Sequence, residues 1–567
     1  MYHKTATIQT SWICKLLTPI LIFILFDAKT VNASIINVST ISALQAAIDS
    51  AATGTIIVLA DNTYSNASIT IGTSGITINA ATPGGVIFNG SSTCGITGSN
   101  NIFSGFQYKN GNIGTNNIME INGNYNTIIQ CNFYGYVAHN YIHFNNGSNH
   151  NQATYCNFEA KPNTMNAGPA IQISTSPTVI NYTKIRYCTF MNFSGTGGDF
   201  GNEPIRIGLG AEQNNISAAV VEHCYFENTG GGDSESISVK SKGNVLRFNT
   251  QNNNPDGCFT FRSGSQNTAY SNFFINSGGI RVKEGHNHMI YNNYFQGGGS
   301  NQSSLQLENY NANPLDTIYI YHNTFYNPVA IQLGGSGAYP PTNVIFANNI
   351  FYKISGTILS DINTNVTYLK NIFYGGASLG KTYNATEFVN INPQLTINSY
   401  SYFSLSSASP AINASNGTYP SLLDNINVND DPYLLWDIEG QSRPTNQTQK
   451  DIGCDEYSTG AVTNHPLLSS DAGPSYLMTP TLSYDIILGK KENIEVFPNP
   501  TNGIFYVTTG TKISVIVIMN VQGEIIYTAQ INSYKAEVDL SNSAKGIYFY
   551  QIKNDSGLLK SGKIILE

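Results

Sequence analysis

Cys131-Asn132-Phe133, Cys156-Asn157-Phe158, Cys188-Thr189-Phe190 and Cys224-Tyr225-Phe226 open a series along the middle of the chain. It continues as Asn272-Phe273-Phe274, Asn293-Tyr294-Phe295, Asn323-Thr324-Phe325, Asn349-Ile350-Phe351 and Asn371-Ile372-Phe373, with Asn249 in a degenerate copy. Successive steps are 25, 32, 36, 25, 23, 21, 30, 26 and 22 residues. A repeat of this length, irregular and rich in β-formers, marks a stacked solenoid. Side chains one coil apart in sequence then become neighbours in space. The repeat Phe points inward. The Cys and Asn share an inward slot, where Cys acts as a small hydrophobe and Asn amides form a ladder from coil to coil. These residues hold the fold and carry no chemistry.

Composition agrees. The chain has 567 residues, 52 Gly, 35 Tyr and 27 Phe, with only 11% charged residues. Gly and Asn supply the left-handed corners that short strands need. A net charge of −8 argues against nucleic acid as a partner. A polyanion would need a local basic strip. Lys4 and Lys15 precede an apolar run over 16–26, and Val31-Asn32-Ala33 offers small residues for cleavage. Residues 1–33 therefore read as a signal peptide, and no other segment is long and apolar enough to span a bilayer. Export permits disulfides, yet four of the eight cysteines sit in the inward slot, which favours a free-thiol ladder.

A short helix carrying Leu44, Ala47, Ile48 and Ala51 on one face, capped by Ser39 or Thr40, is expected to plug the open end of the rod. The coils run to about Gly375, and a closing segment reaches Tyr457, giving a solenoid domain over 34–457. Residues 458–490 read as a polar linker containing Pro466, Pro474 and Pro480. Residues 491–567 alternate strand patterns with Gly turns and read as a small β-sandwich.

Four segments carry outward cations between inward apolar residues. They are Ile205-Arg206-Ile207, Ile237-Ser238-Val239-Lys240, Phe259-Thr260-Phe261-Arg262 and Ile280-Arg281-Val282. Counting back from the repeat landmark, Lys240, Arg262 and Arg281 lie 9, 10 and 12 residues upstream, which stacks them on one sheet. Arg206 lies 18 upstream and fits less well. Like charges so placed repel and need compensation. Asn202, Glu203, Asp233 and Glu235 lie just upstream, and two readings stand side by side: a Ca²⁺ site of carboxylate and amide oxygens, or ion pairing with the basic residues. The constellation suits β-elimination from a uronic acid polymer. The C5 proton lies α to a carboxylate, and a cation must stabilise the charge that develops when a base removes it. Lysine serves as the base if its pKa is lowered.

The run Asp233 to Asn244, Phe261-Arg262-Ser263-Gly264, Gly278-Gly279-Ile280-Arg281-Val282 and His288 to Phe295 resembles polysaccharide lyase family 6, which contains alginate lyases and chondroitinase B. The opening Val38 to Ile48 and the closing Asp437 to Pro444 fit as well. The resemblance implies an all-β, right-handed parallel β-helix. It implies Lys240 as Brønsted base, Arg262 as its acid partner, Arg281 and Arg206 as substrate-binding residues, and Ca²⁺ on Asn202, Asp233 and Glu235. Asp233 departs from the family's usual Glu and Ser263 from its usual His, and Glu203 competes with Asn202 as the third ligand. His286, His288, Lys242, Lys283 and Ser238 are read as packing, solvated or subsite residues. The C-terminal module, with Phe497-Pro498-Asn499-Pro500, Gly546-Ile547-Tyr548 and Gly562-Lys563, resembles the sorting domain of the type IX secretion system of Bacteroidetes. The implied protein is a secreted or cell-surface lyase acting on alginate. The rival readings are a chondroitin or dermatan sulfate lyase and a noncatalytic glycan-binding rod.

Overall fold

The residue just before each repeat Cys or Asn explains how the chain turns. Gln130, Tyr155, Tyr187, His223, Phe248, Ser271, Asn292, His322, Asn348 and Lys370 all have φ between 48° and 57°. One left-handed residue thus makes a corner between two strands. None of these residues is β-branched, as the sterics of that region require. In four successive coils the corner rings stack, with centroid spacings of 4.8, 4.7 and 5.0 Å along Tyr155, Tyr187, His223 and Phe248.

A computed structural model describes residues 34–477 and 494–567, apart from 165–167, 196–200, 298–301, 309–314, 335–338, 362–364, 418–433, 521–524 and 555–556. The expected signal peptide lies outside the described residues. Three parallel sheets of 14, 12 and 14 strands run the length of the solenoid, each strand pairing with its counterpart one coil away, with a register irregularity at Glu235. The predicted helix is Ile41–Ser50, N-capped by Thr40, with Leu44, Ala47 and Ile48 buried at the first coils. Phe133, Phe158, Phe190 and Phe226 form an inward stack with spacings of 5.1, 4.9 and 4.9 Å. All seven described cysteines are free and buried.

From Asn249 onward the slot becomes the expected amide ladder. Each Nδ2 donates to the Oδ1 of the next coil's Asn, from Asn249 through Asn272, Asn293, Asn323 and Asn349 to Asn371, at 2.9–3.1 Å. Each also donates to a backbone carbonyl, and each Oδ1 accepts a backbone N–H from the coil before. Asn293→Leu would leave the Asn272 N–H buried without its acceptor and would break the ladder between Asn272 and Asn323. It should destabilise by roughly 2–4 kcal/mol, read as a lowered urea midpoint.

The closing segment docks on later corners. Asn292 Nδ2 donates to Trp436 O, His322 Nδ1 meets Asp451 O, and Asn348 Nδ2 donates to Asn416 O. Corner residues are therefore aromatic where they stack on one another and polar where this segment lies against them. Residues 458–477, read from sequence as the start of a linker, instead lie along the rod. Leu467 N donates to Thr250 Oγ1, Gly473 N to Tyr187 O and Ser475 N to Gln130 Oε1. The polar composition of that stretch hid its backbone contacts.

The C-terminal unit has its own core of Phe505, Val507, Ile516, Ile518, Val538, Ile552 and Ile564, among others. Its five strands form one antiparallel sheet. On one edge the long strand Ile504–Met519 pairs with Glu495–Phe497 near one end and Gly546–Asn554 at the other; on its other edge it pairs with Ile525–Asp539, with register shifts. The expected small sandwich thus takes the form of a single sheet whose central strand changes partner midway.

Candidate active site

The four strands singled out from sequence are neighbours in the 12-stranded sheet. Their inward residues Ile205, Ile207, Ile237, Val239, Phe259, Phe261, Ile280 and Val282 are all buried in the core. Register fixes the outward residues. Arg206 pairs with Ser238, Ser238 with Thr260 and Thr260 with Arg281. The next outward position holds Lys240, Arg262 and Lys283, whose N–H groups donate to Ile207 O, Val239 O and Phe261 O at 2.7, 2.8 and 2.9 Å. Two columns result, about 4.8 Å per coil. Lys240 and Arg262 are adjacent in one. Arg206 and Arg281 end a four-coil stretch of the other.

This corrects the column expected from spacing. Arg281 falls in line with Arg206, three coils away, and Lys283 follows Arg262. The offsets of 10 and 12 residues differ by two, the period of one outward step, so counting across a turn of variable length shifted Arg281 by one column. Gly208, with φ of 81°, occupies the coil before Lys240 and presents no side chain there. A Cβ at that position would lie 3.0 Å from Lys240 O.

Carboxylates sit beneath the cations. Glu235, 2% exposed, accepts from Arg281 Nη2 at 2.6 Å and Arg262 Nη1 at 3.1 Å. Burial raises its pKa, but Arg281, Ser238, Arg262 and Lys240 outweigh that and hold it below the usual glutamate range. Glu203 grips Arg206 through both oxygens, at 3.0 and 2.5 Å. Lys283 faces Glu308 at 3.8 Å. Lys240 is half-buried. Burial, then the Arg206 charge, lower its pKa against the opposing pull of Glu203 and Glu235, with Arg262 lowering it further. A lysine poised to lose its proton beside guanidinium groups can act as a base toward a bound acid.

The oxygens assigned to Ca²⁺ are engaged otherwise. Asn202 Oδ1 accepts from Lys161 Nζ at 2.8 Å. Asp233 Oδ2 accepts from Gly201 N at 2.9 Å and its Oδ1 from Glu235 N at 3.0 Å. Glu235 faces two guanidinium groups. Among the described residues no group of three or more His, Cys, Asp or Glu is arranged to hold a metal. The donor set as folded does not fit a calcium site; Glu203 pairs with Arg206, and Glu235 with Arg262 and Arg281. Burial, then Glu203, raise the Asp233 carboxyl above the usual aspartate range.

Lys161 is the residue that sequence reasoning missed. It is fully buried and 41 residues from Asn202, and Lys161-Pro162 matches no motif. Lys242, Ser265, Glu284, His286 and Asp316 line a cavity of 340 Å³ at the corner following the second column, which gives that end of the groove mixed charge. His288 is fully buried, with its ring 5.0 Å from Phe261, and burial lowers its pKa to about 4. That is the packing role expected of it.

Comparison with known proteins places this geometry. The chondroitinase B family model matches residues 38–332, and a secretion system C-terminal sorting domain model matches 495–567. No curated protein matches the chain in sequence. Among solved structures, the polysaccharide lyase family 6 alginate lyase AlyGC superposes with a TM-score of 0.62 at 21% identity, covering 83% of this chain and 60% of that one. A mannuronic acid specific family 6 lyase from human gut microbiota gives 0.53 at 20% identity, covering 64% of this chain and 92% of that one. Alginate lyase AlyF-OU02 gives 0.54 at 17% identity, covering 66% and 91%. The chain thus spans about 60% of the length of AlyGC, and these likenesses establish the shared fold. Among the described residues no helix is long and apolar enough to cross a membrane. By its match over residues 38–332 the chain belongs to the chondroitinase B family of polysaccharide lyases, and it ends in a secretion system C-terminal sorting domain.

Proposed function

We propose that the chain is an alginate lyase that cleaves by β-elimination. The observation that carries this is the pair of adjacent outward columns, Lys240 beside Arg262 and Arg206 in line with Arg281, on one sheet above Glu203 and Glu235. The neutral Lys240 amine removes the C5 proton. The resulting charge on the uronate carboxylate is met by guanidinium groups, with Arg281 and Arg206 as carboxylate-binding residues. The electron pair at C5 then expels the glycosidic oxygen at C4, forming the C4–C5 double bond. Arg262 stabilises the departing oxygen, and a proton returns to it as Lys240 is regenerated. The sorting domain marks the chain for export by the type IX machinery, to the cell surface or beyond it.

The matched family favours a second substrate, dermatan or chondroitin sulfate. Purified protein is to be offered alginate, dermatan sulfate and chondroitin sulfate in parallel, with unsaturated uronate ends followed by ultraviolet absorbance and mass spectrometry. Unsaturated products from alginate alone are expected. Products from the sulfated polymers alone would move the assignment to the second reading. Polymer binding without product from any of them would leave a glycan-binding rod.

A further inference from the structure

We infer that amine and guanidinium groups of the chain itself fill the place where a divalent cation would sit, so that folding and turnover are indifferent to calcium. Lys161 is the central residue. Its side chain is buried between coils, donates to Asn202 Oδ1 at 2.8 Å and Ala138 O at 3.3 Å, and lies 5.5 Å from the centre of the Tyr141 ring. A lysine nitrogen carries N–H donors in either protonation state, so the Asn202 oxygen is taken whatever the charge.

The rest of the pocket is filled in the same sense. Each Asp233 oxygen accepts a backbone N–H, and the two guanidinium groups converge on Glu235 Oε1. Asn202 Nδ2 is buried and finds no acceptor. A pocket prepared for a cation presents unsatisfied oxygens; this one is left with an unsatisfied donor. The charges lean the same way. Arg206 already pairs with Glu203, and Arg262 and Arg281 with Glu235, so a further double positive charge would meet two carboxylates that are ion-paired. Lys161 touches no substrate in this scheme. It is a positioning residue that fixes Asn202 beside Glu203, and through Glu203 the direction of Arg206.

The inference concerns the site of the proposed lyase, but its test is read without substrate. The full chain is to be melted in EDTA and in rising CaCl₂, with calcium heats followed by titration calorimetry. The expected result is no binding heat and an unchanged melting temperature. A real site at calcium 100-fold above its Kd would add about 2.7 kcal/mol of stability. Lys161→Met keeps the length of the side chain and removes the donors. It should melt lower than wild type and gain a calcium-dependent rise. A wild-type protein that calcium stabilises, or a Lys161→Met variant that melts like wild type, would overturn the inference. If Lys161→Met does not fold, the wild-type titration decides alone. Failure of the lyase reading would appear separately, as the absence of unsaturated product.

Discussion

Replacing Lys240 by Met is expected to lower kcat by about 10³–10⁴-fold while KM stays within a few-fold and the melting temperature hardly moves. The rate loss follows from removing the lysine that stands beside Arg262 and whose pKa the site lowers, since arginine stays protonated throughout the working range. The small change in KM follows from leaving Arg206, Arg262 and Arg281 to hold the carboxylates of the polymer. The unchanged melting point follows from placement: Lys240 lies on the outward face of its strand, and its N–H···O bond to Ile207 is a backbone bond that the substitution keeps.

The sign of the pH dependence follows from the same residue. The base must be neutral, and the folded site lowers the lysine pKa from 10.5. Activity should therefore rise with pH and level off below the range in which an exposed lysine titrates. Lys240→Arg should not restore the rate. A Lys240→Met protein with wild-type kcat, or an activity limb at the pH of a free lysine, would remove Lys240 from the chemistry.

Much of the architecture was legible because a solenoid repeats its physics. Inward Phe and Asn recur at one coil spacing, so the parallel sheets, the amide ladder and the capping helix could be read from residue type alone. The corners were harder. Gln130, Tyr155, Ser271, Asn292 and Lys370 share a left-handed backbone and no common chemistry, so no motif marks the position. The basic strip was legible as a strip and misread as a column, because a turn longer by one or two residues moves a side chain by one outward step. Lys283 was set aside for the same reason, although it continues the column of Lys240 and Arg262. The oxygen-rich cluster was legible from spacing and its ligand set from resemblance, while the lysine beside Asn202 was invisible. Lys161 reaches Asn202 only because two coils of unequal length bring 161 beside 202, and one lysine before a proline carries no pattern. Glu235 sits at a register irregularity between Glu235 and Ile237, which turns it toward the guanidinium groups in a way that strict alternation does not foretell.

The largest expected loss of stability comes from Arg443, far from the basic columns in sequence. Arg443→Met should destabilise the solenoid by about 3–5 kcal/mol, seen as a lower urea midpoint and earlier melting. The guanidinium is fully buried. It donates to Glu456 Oε2 at 2.9 Å, Gly453 O at 2.8 Å, Asp451 O at 3.2 Å and Asn292 Oδ1 at 3.2 Å. Asn292 is a corner of the rod, so this one side chain ties the closing segment to the coils. Its removal strands Glu456 and leaves Asp437, Asp451 and Asp455 with no guanidinium among them. Burial already raises the Asp437 pKa to about 7, against the pull of Arg443. The folded protein therefore holds a proton there that the unfolded chain, near 3.8, releases. Stability from this carboxyl is fully present below pH 3.8 and is lost as pH rises through about 7. Asp437→Asn, neutral at every pH, should flatten that slope. In Arg443→Met the lost counter-charge should lift the titration further, so that the variant recovers part of its stability in mild acid. A variant as stable as wild type across that range would show that the closing segment is held by its apolar contacts, Ile438 and Cys454 against Phe273 and Tyr294, rather than by its buried charge network.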